Sequence, residues 1–513
     1  MDLIIKIAWR NIMRHRGKSI VIGVILFIGA LLMTVGNGVI SGMDKGLRKN
    51  IIDGFTGDIV LVSDKQESDA VFMEMMGKSI EPVNNFKQVD SVLKTVEGIK
   101  SYIPIGKNGA MVLNEEGGSP GFTYIIGLDF ERYQKVFPNT MKAIEGRLLK
   151  KGEHGILVPT GARKEMFDQT NIWFVPKGCS IDTANMFKEA REALKYLVSK
   201  DDVVLMGMSA DNTSTDIRLG ISGIVKYNAL NQFWGHFAIV DIESYRNCLG
   251  YISASDKAAV SLTEDQQALL SGSDADLDNL FSETGMITEN KFKKTSKQEP
   301  VQTAAASVAV PKKPVDLDDG TYNMVLVKLN DHTALDKMVK QLNEEFKKEN
   351  IGVRAIPWKK AIGAIGSMSS IIQFALILFV LFLFFVAIII IINTLSMAAL
   401  ERTTEIGMMR AVGARKGFVS TMFVGETAIL SFFFGGIGII TGYIVVNILA
   451  LMKFTTENDM IQLLYGGDTF HPFLSPLAIL VTIIMLAAVT IIAVIYPMFV
   501  ARSITPLDAI ARD

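Results

Sequence analysis

From Phe374 to Ile392 the chain carries nineteen consecutive residues without a polar side chain, FALILFVLFLFFVAIIIII, before Asn393 interrupts them. A bilayer's hydrocarbon core asks for about 20 apolar residues in one helix, so this run predicts a membrane-spanning segment. Three further stretches lack Asp, Glu, Lys and Arg over comparable lengths. The first lies between Lys18 and Asp44, with its apolar centre at Ile20 to Val35. Another starts near Val419, carries Glu426 close to its beginning and then runs uncharged to Lys453. The last fills the gap between Asp468 and Arg502, centred on Leu477 to Val500, and Pro497 is expected to bend or end it. A hydrophobic content of 49% and a mean hydropathy of +0.31 agree with four spans.

The first span exceeds the apolar core of a secretory signal, and no clear A-x-A site follows it, so it reads as a retained anchor. Basic residues set the expected orientation. Arg10, Arg14, Arg16 and Lys18 precede the first span, Arg402, Arg410, Arg415 and Lys416 lie between the second and third, and Arg502 follows the fourth. The positive-inside rule then places both termini and the short central loop in the cytoplasm. The loop with Glu457, Asp459 and Asp468 falls outside, as does everything from about residue 44 to 360.

That outer stretch is long enough for one large or two medium domains. Residues 56–63 read as a strand, 86–96 as a helix and 102–112 as extended chain. Near the other end, 322–329 read as a strand, 333–348 as an amphipathic helix and 351–356 as a strand. These two β-α-β halves, each tied directly to a span, are expected to meet in one α+β unit close to the membrane. The layout expected is a helix over 1–18, spans at 19–43, 361–399, 419–452 and 474–501, and an outer domain over 44–360. Within that domain, 44–114 and 321–360 form the membrane-proximal unit, 115–288 a distal one and 289–320 a flexible linker. The linker is expected because KKTSKQEPVQTAAASVAVPKKP buries too little apolar surface to order itself. Residues 400–418 and 502–513 complete the cytoplasmic side, and 453–473 the outer loop.

Chemistry is sparse. A phosphate-cradling loop needs G-x-x-x-x-G-K-[ST], yet the leading glycine positions before Gly17-Lys18-Ser19 and Gly77-Lys78-Ser79 hold Ile12 and Phe72. His15, His154, His236, His332 and His471 share no ligand spacing, and two cysteines make neither a disulfide scaffold nor a four-cysteine zinc site. Cys179 and Cys248 could pair in an oxidising compartment; small buried thiols are the plainer reading. No catalytic residue, metal site or cofactor is expected. A net charge of −1 gives no overall field directed at nucleic acid.

The central loop stands apart. ERTTEIGMMRAVGA, from Glu401 to Ala414, is helix-competent, places Arg402, Glu405, Met409 and Arg410 within reach of one another, and offers Ile406, Met409 and Val412 as an apolar side. Composition alone makes it an interfacial basic loop. The run R-T-x-E-I-G-x-x-R-A-x-G-A at Arg402 to Ala414, with Glu426 in the following span, closely resembles the signature of FtsX-like permeases, which include MacB-type exporters and LolC- and LolE-type lipoprotein-release subunits. IAWRNIMRHRGKS at Ile7 to Ser19 resembles the opening amphipathic helix of that family and RSITPLDAIARD its closing segment.

The resemblance implies an α-helical membrane protein with four spans and a large α+β extracytoplasmic domain between the first two. It implies an ABC transporter permease subunit of the mechanotransmission type, in a bacterial plasma membrane, working as a dimer with a second permease chain. Its coupling helix would dock on a separate ATPase subunit, present in two copies, through Arg402, Glu405, Gly407, Arg410, Gly413 and Glu426. MacB-type chains carry a fused ATPase; with 18 residues before the first span, the ATPase is expected on another chain. The implied work is release of a lipoprotein or export of an amphiphile, with a lipoprotein or outer-membrane partner. The alternative is a non-transporting FtsX-type regulator that activates an extracytoplasmic partner such as a cell-wall hydrolase. A membrane-anchored enzyme lacks every motif sought.

Overall fold

The computed structural model describes residues 2–14, 16–72, 80–207, 215–228, 230–251 and 316–504, except 457, 459, 460, 463, 464 and 466. His15, Gly77-Lys78-Ser79, most of the expected linker and the closing segment after Ile504 lie outside the described residues.

The chain opens with α1 (Asp2–Arg14), which packs Ala8 and Ile12 inward. Among the described residues, four helices long and apolar enough to cross a membrane follow, at Ser19–Thr56, Gly366–Glu401, Lys416–Leu451 and Pro476–Ser503. The last runs through Pro497 instead of ending there. At 1.5 Å per residue the first two, with 38 and 36 residues, measure roughly 57 and 54 Å, against about 30 Å of hydrocarbon. The first helix therefore continues beyond the expected end at residue 43, its last nine residues as a π-helical stretch, Arg48–Thr56. The surplus length of both, termed the stalk below, leads to the outer sheet.

Small residues set how the spans meet. A Cβ added at Gly438 would lie 2.5 Å from Phe27 O, and one at Gly442 2.7 Å from Thr34 Cβ. This G-x-x-x-G pair lets the third span lie against the backbone of the first. Gly36 does the same against Val380 of the second. The bundle centre is filled by Ile22, Leu26, Met33, Val380, Ile391, Leu395, Leu486 and Val489.

Above the stalk stand β1 (Ile59–Ser63), α2 (Phe86–Thr95) and β2 (Ile99–Val112), then, after a long insertion, β11 (Met324–Leu329), α3 (Leu335–Lys348) and β12 (Val353–Pro357). The strands align as β12-β1-β11-β2, all antiparallel. Two β-α-β halves thus interleave in the split βαβ arrangement. Ile59 and Leu61 face α2 and α3, while Val60 and Val62 face the stalk, so the period of two buries both faces of β1. Helix α3 supplies Met338, Leu342 and Phe346 from one stripe.

The insertion contributes β3 (Gly121–Leu128), β4 (Met141–Gly146), β5 (Ile156–Pro159), β8 (Asp202–Gly207), β9 (Asp216–Tyr227) and β10 (Phe237–Asp241), with a short pair β6 (Ile172–Phe174) and β7 (Val198–Lys200) to one side. These strands extend the first set into a ten-stranded sheet. Long β2 is the shared member: its first part pairs β11, its later part β3 and β8. Because β8 also pairs β9, the ring β2-β3-β10-β5-β9-β8 closes on itself and hides its edges. The expected division at residue 114 falls just past the end of that shared strand. Cys248 is buried, and burial pushes its thiol up to about 12. Cys179 is exposed instead of buried, and both are free thiols.

Candidate functional site

The helix expected in the central loop exists as α4 (Thr403–Ala411), joined to the second span by Arg402 and to the third by a tight turn. Gly413 makes that turn. Its φ of +101° is one that side-chain-bearing residues rarely adopt, and Gly413 N and Ala414 N donate to Arg410 O and Met409 O at 3.1 and 3.0 Å, closing α4 with a Schellman motif. A Cβ on Gly413 would meet open space, so the backbone angle, not crowding within the chain, selects glycine. Gly407 is buried on the inner side of α4.

Three polar contacts tie α4 and its start to three other helices. Arg402 donates two hydrogen bonds to Glu426 in the third span, at 2.8 and 3.1 Å, with both side chains over nine-tenths buried. A carboxylate in an apolar span requires such a partner, and the paired fork of guanidinium and carboxylate fixes orientation as well as distance. Arg14 at the end of α1 meets Glu405 at 3.1 Å. Arg410 donates to the backbone carbonyl of Ile504, just past the fourth span. Beneath these contacts Ala399, Ile406, Val419, Met422, Phe423, Ala501 and Ile504 form a small apolar core.

Both charges that the sequence offered to a partner, Glu405 and Arg410, thus find partners inside the chain, and Arg402 and Glu426 find each other. What α4 presents outward is different. Met408 is exposed and Val412 is 91% exposed, so Val412 does not join Ile406 and Met409 on the packed side. Arg415, Lys416 and Gly417 are exposed beside them. Arg14 and Ile504 were not foreseen as partners. The Arg402–Glu426 pair was foreseeable, because an acidic residue inside a span calls for a cation at the same depth.

At the other end of the stalk, Phe55 stacks on Trp234 with ring centroids 3.9 Å apart and lies edge-on to Phe72 and Tyr227. Lys328 of β11 reaches back to Asp53 at 2.9 Å. Buried Asp58 accepts from Leu329 N at 2.8 Å and pairs with His332. The loop between the third and fourth spans joins this contact region: Asp468 accepts from Leu230 N at 2.9 Å, and Phe473 N donates to Gly38 O at 3.0 Å. Among the described residues, no group of His, Cys, Asp and Glu could hold a metal ion.

Residues 377–506, which contain most of the second span, the α4 turn and the third and fourth spans, match the family model described as FtsX-like permease C-terminal. This part of the chain is similar to the C-terminal region of FtsX-like permeases. Over 128 residues the chain is 30% identical to the ABC transporter permease YtrF of Bacillus subtilis (strain 168), a match covering 24% of this chain and 28% of that relative's length. Among solved structures it is similar to the extracellular domain of the noncanonic ABC-type transporter YknZ from Gram-positive bacteria (9% identity, TM-score 0.26, 58% of this chain and 98% of that one). It is also similar to the periplasmic region of MacB from Actinobacillus actinomycetemcomitans (11% identity, TM-score 0.28, 61% and 94%). The FtsX-like region thus coincides with the part of the molecule where Arg402, Glu405, Arg410 and Glu426 meet.

Proposed function

We propose that this chain is the permease subunit of an ATP-driven transporter of the mechanotransmission type, with the basic end of the bundle in the cytoplasm and α4 docked on a separate ATPase. The observation that carries this reading is the wiring of α4. A short helix whose tip is exposed at Met408 and Val412 is tied by Arg402–Glu426, Arg14–Glu405 and Arg410–Ile504 to the third span, to α1 and to the end of the fourth. A push on the tip is therefore delivered to several helices together. The stalk then passes it to the sheet, whose lower face rests on Leu47, Ile51, Phe55 and Trp358. The apolar filling of the bundle centre favours movement of the outer domain over passage of substrate between the helices of one chain.

On this reading two ATPase copies serve a pair of permease chains, and the substrate is an amphiphile, such as a lipoprotein, handled on the outer side. The absence of a P-loop pattern from the sequence supports the division of labour. The test uses the full chain purified from membranes of its host. Purified alone it should hydrolyse no ATP, and purified with its ATPase it should carry vanadate-sensitive hydrolysis. Val412→Asp puts an unpaired charge at the docking tip and should reduce the associated hydrolysis by about tenfold or more. Hydrolysis by the lone chain, or full association of the Val412→Asp variant, would overturn the proposal.

A further inference from the structure

Among the described residues, grooves open on the sides of the bundle, and two of them differ in kind. The larger, about 840 Å³, lies between the third and fourth spans; its polar members Ser431 and Thr490 are bonded to each other at 2.7 Å, and it carries no charge that would select an occupant. The smaller, about 270 Å³, lies where α1 and the start of the first span meet the third, and it is built differently.

Trp9, Ile12 and Met13 of α1, at the i, i+3, i+4 spacing of one helical face, line its upper wall together with Arg16, the first residue of the next helix. Ile20, Ile429, Leu430, Phe433 and Phe434 form the apolar remainder. Trp9, Met13, Ile20 and Phe433 are between 44% and 55% exposed, although their neighbours Ile12 and Leu430 are packed away. Arg16 is exposed at the lip, where its Nε donates to Met13 O at 3.1 Å and holds the guanidinium over the opening. Neighbouring Arg14 is spoken for by Glu405, and among the described residues Arg16 is the cation that lines the groove. The level is also right: the Arg402–Glu426 pair and Arg14 mark the basic boundary of the bundle, and the groove begins there and runs into the apolar span.

We infer that this groove is a binding site for one anionic phospholipid, its phosphate on Arg16 and an acyl chain along Ile20, Ile429 and Phe433. An apolar slot opening sideways from a membrane span, with a cation and an amphipathic tryptophan at its polar end, has the charge and polarity order of that ligand. Because α1 also carries Arg14, the lipid sits on the helix that is bonded to α4, and its occupancy stiffens the contact between α1 and the third span. The inference does not depend on the ATPase.

The molecule contains its own reporter. Trp173, Trp234 and Trp358 are buried in or beside the outer sheet, so Trp9 is the tryptophan within reach of acyl chains at this end. The full chain is reconstituted in vesicles of phosphatidylcholine, and acyl-brominated phosphatidylglycerol or acyl-brominated phosphatidylcholine is titrated in while tryptophan fluorescence is read. Brominated phosphatidylglycerol should quench at about fivefold lower mole fraction than the neutral lipid, the preference expected of one basic residue at the surface. Arg16→Gln should remove the preference and Arg16→Lys keep most of it, while Ile20→Phe, which fills the slot without adding a second indole, should weaken quenching of Trp9 in a chain whose fold is intact. Inorganic phosphate at millimolar concentration should not compete. Equal quenching by both lipids, a preference that survives Arg16→Gln, or competition by phosphate would each overturn the assignment.

Discussion

The two ends of the spanning helices are held by opposite chemistry. At the domain end the stalk enters a broad apolar surface: Met43, Leu47, Ile51, Ile52 and Phe55 pack under the sheet with Trp234, Phe237 and Leu326. At the basic end the core is a handful of residues, and directional polar contacts carry the joint: Arg402 on Glu426, Arg14 on Glu405, Arg410 on Ile504. Apolar surfaces tolerate small sliding because many weak contacts exchange for similar ones, whereas a forked ion pair loses its geometry at once. The basic end is therefore suited to fixing the position of a small helix. The domain end is suited to spreading a displacement over a sheet. Between them, the Gly438 and Gly442 contacts bring two spans together with little side-chain interlock.

The contrast predicts its largest effect at Glu426. Glu426→Gln leaves the Arg402 charge buried without its counter-charge, and the expected loss of stability is about 3 to 5 kcal/mol. Replacing both, Arg402→Met with Glu426→Met, should return most of that stability while still lowering coupling between α4 and the third span. Thermal unfolding in detergent, read beside ATPase stimulation in the complex, separates the two quantities. A double variant that regains stability and full coupling would reduce the pair to a packing element.

At the domain end, Phe55→Ala should cost about 3 kcal/mol through the space it opens beside Trp234 and Phe72. Phe55→Leu should cost under about 1.5 kcal/mol, since an apolar surface accepts another apolar shape. No conservative replacement rescues Glu426 in the same way. Unfolding midpoints of the two series, compared side by side, test whether the joints differ in kind.

These expectations also show what could be read in advance. The spans were legible because an uncharged stretch of twenty residues has few other fates, and the β-α-β halves because residues 56–63 and 322–329 announce strands on both sides of helical runs. Their interleaving was not legible, since antiparallel pairing of Ile59 with Val327 and with Pro357 joins positions far apart in the chain and leaves no local signature. The closed ring of strands in the insertion was hidden for the same reason. Within the candidate site, Arg402 meets Glu426, but which of the residues singled out face inward depends on where α1 and the fourth span arrive. Val412 illustrates the limit: helical spacing put it on the apolar side with Ile406, and the chain turns it to solvent at the end of α4.

The smallest effect is expected where the chemistry of Arg402–Glu426 is repeated in water. In the outer domain Arg147 forks onto Glu153 with two bonds of 2.7 Å, a geometry as good as that of the buried pair, yet the arginine is half exposed. Hydrogen bonding from Arg147 lowers the Glu153 pKa to about 2. A carboxyl group depressed in the folded state stabilises it at pH values above the unfolded pKa, about 4.3, and loses that contribution as pH falls through about 2. Solvent screening limits the gain, so Glu153→Gln should cost only about 0.5 kcal/mol at pH 7. The difference between variant and wild type should shrink as pH is lowered from about 4 towards about 2, and it should shrink at neutral pH in about 1 M salt. For Glu426→Gln neither salt nor mild acid should close the gap, because the penalty is an uncompensated charge away from water. If the two variants lose equal stability and respond equally to salt, burial is not what distinguishes the joint at α4, and the difference between the two ends of the stalk loses its physical basis.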